Sequence, residues 1–420
     1  MDTQKSYLFV TWEGGGNVAP VLGVAKRLIA RGHSVRILSE PCLQKNIESI
    51  GAEFIVFKKH FTRTDRTVDI IQDWNAGPMN LATFDNIIFG PAMDVAEETL
   101  AAIKERQTDI VVADLMMVGS MIAAEAYGIP HVVLFHMPEY LPGPNRPPGG
   151  FGLNPKEGIL GKTRDRFLFM VFNRVTSKFL PRLNAVREHF DLAPMKSFMD
   201  VYHQADLRLM QTSKAFDFPI SPAPKNVRYV GPSLDDPGWS DDPKGVLLGD
   251  SSKPLVVVSF STTFQNQRQA IQRTVTAMAD LPVNGLVTLG PSMAKERFQT
   301  TKNIEIKSSC SHSKVLPMAN AVVTHAGHGT VMAALSNGLP LVCLPMGRDQ
   351  IDNAARIVGH GAGLKLSPNA KPHQIAQAIN RVLNEPEFAR NAMRLREHIL
   401  ADVGANRAVL ELEELALAGA

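Results

Sequence analysis

Both halves of the chain carry the same pattern, in which a short apolar run leads into a glycine-rich turn and then into a helix-spaced segment. In the first half, the run 7–12 is followed by three consecutive glycines within residues 13–17 and by helical spacing over 18–30. In the second half, the run 321–324 leads into a turn that contains Gly327 and Gly329. Strands that alternate with helices predict a parallel sheet covered by helices on both faces. The chain is therefore expected to build this α/β layer twice.

Further segments extend the alternation along the chain. The expected strands are 7–12, 34–38, 54–57, 110–113, 131–135, 255–260, 286–289, 321–324 and 341–344. The expected helices are 18–30, 121–127 and 267–278, with a charged helical region over 386–417. The proline and glycine content of residues 138–155 predicts a long loop. Aromatic and basic side chains over residues 164–179 suit either contact with a membrane surface or, more commonly, a solvated helix with one packed face.

The length of the chain predicts two domains. With 420 residues, each half is large enough to bury a core of its own. A stretch rich in proline and aspartate, residues 218–243, marks the linker between a first domain over 1–217 and a second domain over 244–395. Residues 396–420 are expected to form a helix that returns to the first domain.

Charge and cysteine content argue against several classes of protein. The chain has 44 Lys and Arg residues against 41 Asp and Glu residues, a net charge of +3 that argues against a nucleic-acid binder working through bulk charge. Cys42, Cys310 and Cys343 are too scattered for a disulfide framework or a zinc ribbon, which suits the cytoplasm. Since no run approaches the roughly 18 apolar residues of a membrane span, we expect a soluble protein without a transmembrane segment. The sequence gives no indication of its oligomeric state.

The first glycine cluster has two interpretations. Gly14, Gly16 and Ala19 form a GxGxxA pattern between an expected strand and an expected helix, and Glu40 follows at the end of the next strand. This spacing is typical of a dinucleotide-binding turn, which would make the chain an FAD- or NAD-dependent oxidoreductase. Three glycines before a helix that has Pro20 in its first turn are also typical of a plain tight loop. The first half alone leaves both open.

The second glycine cluster predicts an anion site. Residues 322–330 run from an apolar strand into a helix expected to begin near Thr330, so free backbone N–H groups and the positive end of the helix dipole meet there. Gly327 and Gly329 leave room for a ligand, and His325 and Thr330 add side-chain donors, so a diphosphate could be held without a metal. The alternative is a tight turn with incidental histidines. A metal pair of His325 and His328 is disfavoured because no acidic or cysteine partner lies near in sequence.

An acid and an amide stand side by side after the next strand. Asp349 and Gln350 together offer donors and acceptors, which suit the vicinal hydroxyls of a sugar. Asp349 could also cap the helix that follows.

Several segments of the chain together resemble a known family. The segments HAGHGT and GLPLVCLPMGRDQIDNA are similar to the donor-binding signature of inverting nucleotide-sugar glycosyltransferases, the group that includes plant natural-product and bacterial macrolide and antibiotic glycosyltransferases. Other segments agree in order, among them GGGNVAPVLGVAKRLIARGHSV, VADLMMVGSMIAAEAYGIPHV, YVGP, VVVSFST and CSHSKVLP. The resemblance implies the GT-B fold, with two facing Rossmann-like domains of parallel sheets and a C-terminal helical segment. The second domain would hold the donor and the first domain the acceptor.

The resemblance also implies roles for individual residues. The donor phosphates would meet His325, Gly327, Gly329, Thr330, Ser261 and Thr262; the sugar hydroxyls would meet Asp349 and Gln350; the nucleoside would meet Ser309 and His312. Two positions depart from the family. Ser309 replaces the tryptophan that plant members stack on the base, and Ala333 replaces a ribose-binding glutamate. Because of both departures, the sequence does not decide whether the donor carries uridine or thymidine diphosphate.

The largest departure concerns the general base. The usual histidine aligns with Asn17, whose carboxamide cannot accept a proton at neutral pH, and its supporting aspartate aligns with Asp114. Asp114 could accept the acceptor proton directly or through water, with Asn17 orienting the acceptor hydroxyl. His136 or Glu13 could serve instead. The remaining interpretations are an acceptor acidic enough to need no base and a chain that has lost catalysis.

These observations favour a metal-independent, inverting glycosyltransferase that moves a sugar from a UDP- or dTDP-sugar to a hydroxyl of an apolar small molecule. The nucleotide sugar is a co-substrate, and no cofactor is expected. A first domain rich in methionine and phenylalanine suits a phenolic, polyketide or macrolide acceptor, although such residues also form ordinary cores: Met116, Met117, Met121, Phe135, Met137, Phe167, Phe169 and Phe172. The alternatives are the flavin or nicotinamide oxidoreductase and a catalytically silent auxiliary protein.

Overall fold

Two parallel β-sheets form the framework of the molecule. The computed structural model describes residues 4–72, 81–143, 146–218, 223–236, 238, 250 and 252–418. In that part of the chain the strands are β1 (Ser6–Val10), β2 (Ser34–Ser39), β3 (Glu53–Val56), β4 (Ile110–Asp114), β5 (His131–Phe135), β6 (Leu207–Met210), β7 (Val227–Tyr229), β8 (Leu255–Ser259), β9 (Asn284–Thr288), β10 (Ile304–Lys307), β11 (Ala321–Thr324), β12 (Leu341–Cys343) and β13 (Gly363–Lys365).

Helices cover both faces of each sheet. They are α1 (Val18–Ala30), α2 (Gln44–Ser49), α3 (Ala92–Glu105), α4 (Val118–Tyr127), α5 (Gly158–Thr176), α6 (Leu180–His189), α7 (Asp200–His203), α8 (Arg268–Ala279), α9 (His312–Val315), α10 (His328–Ser336), α11 (Gln350–Gly359), α12 (Pro372–Asn384), α13 (Pro386–Gly404) and α14 (Arg407–Ala418). Short 3₁₀ turns occur at Pro41–Leu43, Pro291–Met293 and Leu316–Met318, and a π-helical turn at Phe84–Phe89.

The order of the strands places the loops that matter for function. Among the described residues, the first sheet has the order β3-β2-β1-β4-β5-β6-β7 and the second the order β10-β9-β8-β11-β12-β13. The strand order reverses direction between β1 and β4 and again between β8 and β11. In open parallel sheets, ligands bind outside the carboxyl ends of the strands at such a reversal. The two reversals therefore mark where a site is expected in each domain.

Continuous apolar runs explain the central strands. All five residues of β4, β5 and β8 are buried, because helices pack on both faces of the sheet. The nine expected strands begin and end within two residues of the observed ones; β9, for example, begins at Asn284 rather than 286. Four strands were not expected, namely β6, β7, β10 and β13. The expected start of a helix near Thr330 was slightly late, since α10 begins at His328.

The C-terminal region serves both domains. α13 contributes Leu395 and Ile399 to the core of the second sheet, whereas α14 contributes Val409 and Leu412 to the core of the first. α13 runs unbroken across residue 396, so the segment that packs on the first domain is α14. Part of the expected linker, residues 219–222, 237 and 239–243, lies outside the described residues.

Buried polar contacts hold the two domains together. The guanidinium of Arg356 on α11 lies 2.6 Å from a carboxylate oxygen of Asp217, and the hydroxyl of Tyr229 donates to the other oxygen at 2.7 Å. Burial alone would raise the pKa of Asp217, but Arg356 and Arg146 outweigh it and lower that pKa. The backbone N–H of Gly152 donates to Asp352 on α11 at 2.7 Å. These contacts fix the angle at which the carboxyl edges of the sheets face each other.

Candidate active site

One large cavity lies between the carboxyl edges of the two sheets. Its volume is about 1330 Å³. The first domain lines it with the loops that follow β1 and β5, and the second domain with the loops that follow β8, β11 and β12. The cavity thus spans both strand reversals. Every donor-binding residue expected from the sequence lines it: His325, Gly327, Gly329, Thr330, Ser261, Thr262, Asp349, Gln350, Ser309 and His312.

The N-terminus of α10 presents unused backbone donors to the cavity. The first hydrogen bond inside the helix runs from Val331 N to Gly327 O at 3.0 Å, so the N–H groups of His328, Gly329 and Thr330 lie ahead of it. Ala326 turns the chain into the helix with a φ of 70°. The positive end of the helix dipole lies at the same place. This geometry supports the expected anion site.

The two glycines of this turn have different reasons to be glycine. A Cβ on Gly327 would lie 2.5 Å from His325 Nε2, so a side chain there would displace the histidine. A Cβ on Gly329 would meet no atom within 4 Å. The space beside Gly329 is therefore open to a ligand.

The histidines beside the turn are neutral at physiological pH. Burial lowers the pKa of His325 to about 4, against a smaller opposite effect of Asp349. Burial likewise lowers the pKa of His328 to about 4. The Nε2 atom of His328 lies 3.1 Å from Gln211 O in the first domain. His325 can therefore offer a neutral N–H donor to a phosphate, while His328 joins the two domains.

The loop after β8 faces the turn and adds residues that the sequence reasoning missed. Ser261 and Thr262 line the cavity as expected, and Ser261 Oγ lies 3.2 Å from Thr263 Oγ1. Arg348 Nη1 donates to Thr263 Oγ1 at 2.8 Å, so a cation lies next to the expected phosphate site. The position of Arg348 beside Asp349 was the available signal. Its long side chain reaches a loop more than eighty residues away, which local spacing does not reveal.

Asp349 and Gln350 differ in what they can offer a sugar. The side chain of Gln350 is largely engaged, because its oxygen accepts from Met346 N at 2.8 Å and its nitrogen donates to Gln265 at 2.8 Å. Asp349 Oδ2 accepts from Asn353 Nδ2 at 2.7 Å. Asp349 stands at the N-cap position of α11 but makes no side-chain capping bond. The expectation that it caps the helix is thus wrong, and a carboxylate oxygen remains for a ligand.

The end of the cavity where the sequence predicts the nucleoside is lined by Ser309, His312 and the segment around Asp236. Asp236 accepts from the hydroxyls of Ser311 and Ser313, both at 2.5 Å, and this segment follows β7 in the first domain. Burial lowers the pKa of His312, which is therefore neutral at pH 7. Ala333 lines the cavity one helical turn beyond Gly329.

The expected base and its partner lie at the opposite wall. Asn17 Nδ2 donates to Asp114 Oδ2 at 2.7 Å, and the backbone N–H of Met116 donates to Asp114 Oδ1 at 3.0 Å. Asn17 lines the cavity, whereas Asp114 is buried behind it and does not. Asp114 therefore cannot touch an acceptor directly without a movement of the residues in front of it.

His136 lies between Asp114 and the cavity. Its Nδ1 is 3.8 Å from Asp114 Oδ2 and, among the described residues, is buried without a hydrogen-bond partner. The side chain lines the cavity and is 15% exposed. The imidazole can thus reach an acceptor while the carboxylate faces its other nitrogen. Of the three expected candidates for the base, Asp114, His136 and Glu13, His136 is the one whose side chain lines the cavity.

The carboxylates of Glu13, in the first loop, and of Glu40, after β2, are occupied by protein groups. Glu40 accepts from Glu13 N at 2.9 Å and from Arg63 Nε at 2.6 Å, and its side chain is fully buried. Glu13 accepts from Gly15 N at 2.8 Å and pairs with Arg66. Neither carboxylate lines the cavity. Glu40 is thus not available to bind a dinucleotide ribose, and Glu13 is not available as a base.

An apolar lobe occupies the first-domain side of the cavity. Part of the expected methionine and phenylalanine set lines it, together with other aromatic residues: Phe84, Met116, Phe135, Met137, Tyr140, Phe172, Phe198 and Tyr202. The other members do not line it. Met117 and Met121 are buried in the core, and Phe167 is exposed on the outer face of α5. Four of the eight expected residues therefore contribute to the lobe.

Comparisons with known proteins agree with this arrangement. The family model described as "UDP-glucoronosyl and UDP-glucosyl transferase" matches residues 16–403. The 4'-demethylrebeccamycin synthase of Lentzea aerocolonigenes is 28% identical over 404 residues, covering 94% of this chain and 95% of the relative.

Solved structures share the architecture. The glycosyltransferase of kitacinnamycin superimposes with a TM-score of 0.76 at 22% identity, covering 99% of this chain and 100% of the other. The glycosyltransferase VinC, solved in complex with dTDP, gives a TM-score of 0.67 at 20% identity, covering 97% and 99%. The expected GT-B fold, with two facing Rossmann-like domains, is confirmed.

Proposed function

Because the chain belongs to the UDP-glucuronosyl and UDP-glucosyl transferase family and is a glycosyltransferase of the natural-product type, we propose that it transfers a sugar from a UDP- or dTDP-sugar to a hydroxyl of an apolar small molecule. The observation that carries this proposal is a single cavity with an open N–H turn on one wall and an apolar lobe on the other. A nucleotide sugar fits the first and an aglycone the second.

The second domain supplies the electrostatic part of the mechanism. The diphosphate lies against the N–H groups of His328, Gly329 and Thr330, with neutral His325 as a further donor. Negative charge develops on the leaving diphosphate in the transition state, and preorganised N–H groups at a helix N-terminus stabilise it. Arg348 adds a positive charge nearby. These groups perform the role that a metal ion has in other phosphate-transferring sites, so the transfer proceeds without a metal.

The first domain supplies the base. The acceptor oxygen attacks the anomeric carbon on the face opposite the diphosphate, its bond to carbon forms as the bond from carbon to the phosphate oxygen breaks, and the configuration inverts. His136 takes the hydroxyl proton on Nε2, and Asp114, 3.8 Å from Nδ1, stabilises the imidazolium. Asn17 holds Asp114 in place at 2.7 Å. Asp114, which the sequence favoured as the base itself, becomes a positioning residue.

Relatives support the classes of donor and acceptor. One structure with the same fold was solved with dTDP, and one relative is named for the synthesis of demethylrebeccamycin. The apolar lobe, lined with aromatic side chains, favours an uncharged, largely aromatic acceptor. Ser309 and Ala333 leave both uridine and thymidine diphosphates as candidate donors.

The proposal is tested by binding first and by product second. A thermal-shift panel with UDP, dTDP and their glucose and deoxysugar conjugates should identify the donor class. Mass spectrometry with phenolic, macrolide and sterol acceptors should then show a mass increase of one sugar. A chain that binds nucleoside diphosphates but never releases them from any sugar would be a silent relative. A protein that binds neither UDP nor dTDP, nor any of their sugar conjugates, would contradict the proposal.

A further inference from the structure

The helix α5 carries an apolar face that no part of the described structure covers. Four of its large side chains are more than half exposed, namely Ile159 at 83%, Leu160 at 78%, Phe167 at 58% and Met170 at 56%. Ile159, Phe167 and Met170 lie on one stripe of the helix, and Leu160 is next to it, because residues three, four, seven or eight positions apart share a face. Such a cluster differs from the single exposed apolar side chains of an ordinary surface.

The opposite face of α5 forms a wall of the cavity. Phe172, Val175 and Thr176 line the apolar lobe, and Gly161 and Asp165 are buried on the same side. α5 therefore separates the acceptor lobe from the outside by the width of one helix. What binds to its outer face lies next to the place where the acceptor binds.

Positive charges predominate beside the exposed face, where the exposed Glu157 at the N-cap of α5 is the acid that precedes Ile159. Lys162, Arg166, Arg174 and Lys178 are exposed beside the four apolar side chains. The one acid between residues 158 and 178 is Asp165, which is buried and pairs with Arg164 at 2.7 Å. The face thus combines apolar side chains with four exposed positive charges that no acid of this helix offsets.

These observations select one kind of occupant. A second copy of this chain would place like charges against each other, which is unfavourable. A nucleic acid would match the charges but leave the four apolar side chains without partners. The interface of an anionic lipid bilayer satisfies both, since acyl chains take the apolar face and phosphate headgroups take the Lys and Arg side chains. No described helix is long and apolar enough to cross a membrane, so contact would be at the surface.

We propose that the outer face of α5 docks on an anionic membrane surface. Docking places the wall of the acceptor lobe against the bilayer, so that an apolar acceptor dissolved in lipid has a short path into the cavity. This consequence rests on the proposed sugar transfer, but the docking itself does not. It can be measured without any turnover.

The test is sedimentation of the full chain with sucrose-loaded vesicles. Vesicles of phosphatidylcholine and phosphatidylglycerol in about equal amounts should pellet the protein, whereas phosphatidylcholine alone should bind it at least tenfold more weakly. Added salt should release it, because headgroup attraction is screened. The pair Ile159→Ser with Leu160→Ser and the pair Arg166→Glu with Arg174→Glu should each weaken binding at least tenfold.

Matched controls separate this proposal from general stickiness and from the proposed function. Leu410→Ser with Leu417→Ser removes apolar side chains that are 43% and 65% exposed on α14, and should leave vesicle binding unchanged. Circular dichroism and calorimetric binding of UDP or dTDP should be the same in all variants. A wild-type protein that stays in solution with anionic vesicles, or a control pair that loses as much binding as the α5 pairs, overturns the proposal. The proposal is also overturned if light scattering shows that the wild type is a dimer and that the α5 substitutions dissociate it. A wild-type protein that binds neither UDP nor dTDP would instead contradict the proposed function.

Discussion

The two glycine-containing loops that face each other across the cavity look alike in sequence and differ in what their backbone N–H groups do. In the first loop, Glu13 N donates to Glu40, Gly14 N donates to Asn17 Oδ1 and Gly15 N donates to Glu13. Two of these acceptors are the protein's own carboxylates. The N–H groups of Glu13 and Gly15 are thus already bound to carboxylates of the protein and are not free to bind a ligand anion.

The second loop leaves its donors open. The N–H groups of His328, Gly329 and Thr330 precede the first helical hydrogen bond of α10, which Val331 makes. Asp349, the acid whose charge acts on His325 and His328, accepts a hydrogen bond from Asn353. Glycines before a helix therefore permit an anion site but do not create one. What decides is whether nearby carboxylates leave the N–H groups free.

The largest expected effect comes from placing a carboxylate in each loop. Gly329→Asp should lower the affinity for UDP and dTDP at least a thousandfold, about 4 kcal/mol, because it adds a negative charge where the diphosphate binds. Gly16→Asp is the matched control, since a Cβ at either glycine meets no atom within 4 Å. Its effect should stay within fivefold by calorimetry. Equal losses in the two variants would show that the loops do not differ as described.

The pH dependence of stability provides a second test. His325 has a pKa of about 4 in the folded protein because it is buried, against 6.5 for an ordinary histidine. The unfolded chain therefore binds a proton that the folded chain does not, and stability falls as the pH falls from about 6.5 to about 4. For one histidine this loss is roughly 3 kcal/mol. Urea unfolding of His325→Gln should show a shallower loss over that window, and parallel profiles for variant and wild type would contradict the assignment.

A third test concerns the base on the first-domain side. His136→Gln should lower kcat at least a hundredfold, as expected for loss of a general base, while nucleotide affinity stays unchanged. Asp114→Asn should also lower kcat at least a hundredfold. A histidine at position 17 would lie beside Asp114, so adding Asn17→His to His136→Gln should recover at least tenfold in kcat. Full turnover in His136→Gln would return the role of base to Asp114.

The smallest effect is expected at Glu40, which follows β2 and binds the first loop through Glu13 N. Glu40→Gln weakens the bonds to Arg63 and Glu13 N, and should destabilise the protein by about 2 kcal/mol, the usual size for a hydrogen bond to a charged group. Nucleotide affinity should remain within twofold of wild type. The reverse result, a change of affinity with unchanged stability, would make the first loop the anion site.

Local patterns predicted most of the fold because its central strands are short, apolar and fully buried. β6 was missed because Arg208 interrupts its apolar residues, and only the structure shows that this side chain is buried against Glu139 at 3.2 Å. β13 is three residues long and begins with Gly363, so it carries no periodicity that a pattern could detect.

The candidate site also has a part that local sequence predicts and a part that depends on contacts between distant segments. The turn at Gly327 and Gly329 was predictable, since strand, glycines and helix are neighbours in sequence. The contact of Arg348 with Thr263 and that of His136 with Asp114 depend on how separate strands lie side by side. The sequence identified His136 as a candidate general base but gave no reason to prefer it to Asp114 or Glu13. Its distance from Asp114 is a property of the sheet rather than of the local sequence.

The return of α14 to the first domain has a consequence for how the protein is made. Its residues Val409 and Leu412 belong to the same core as Tyr7 and Phe9, which leave the ribosome long before them. The N-terminal half therefore waits, with a gap in its apolar interior, until the entire C-terminal half has been synthesised. Domains usually fold one after another during synthesis, but here the earlier one is completed last. A shortened C-terminus should thus cause the newly made chain to aggregate through its opposite end.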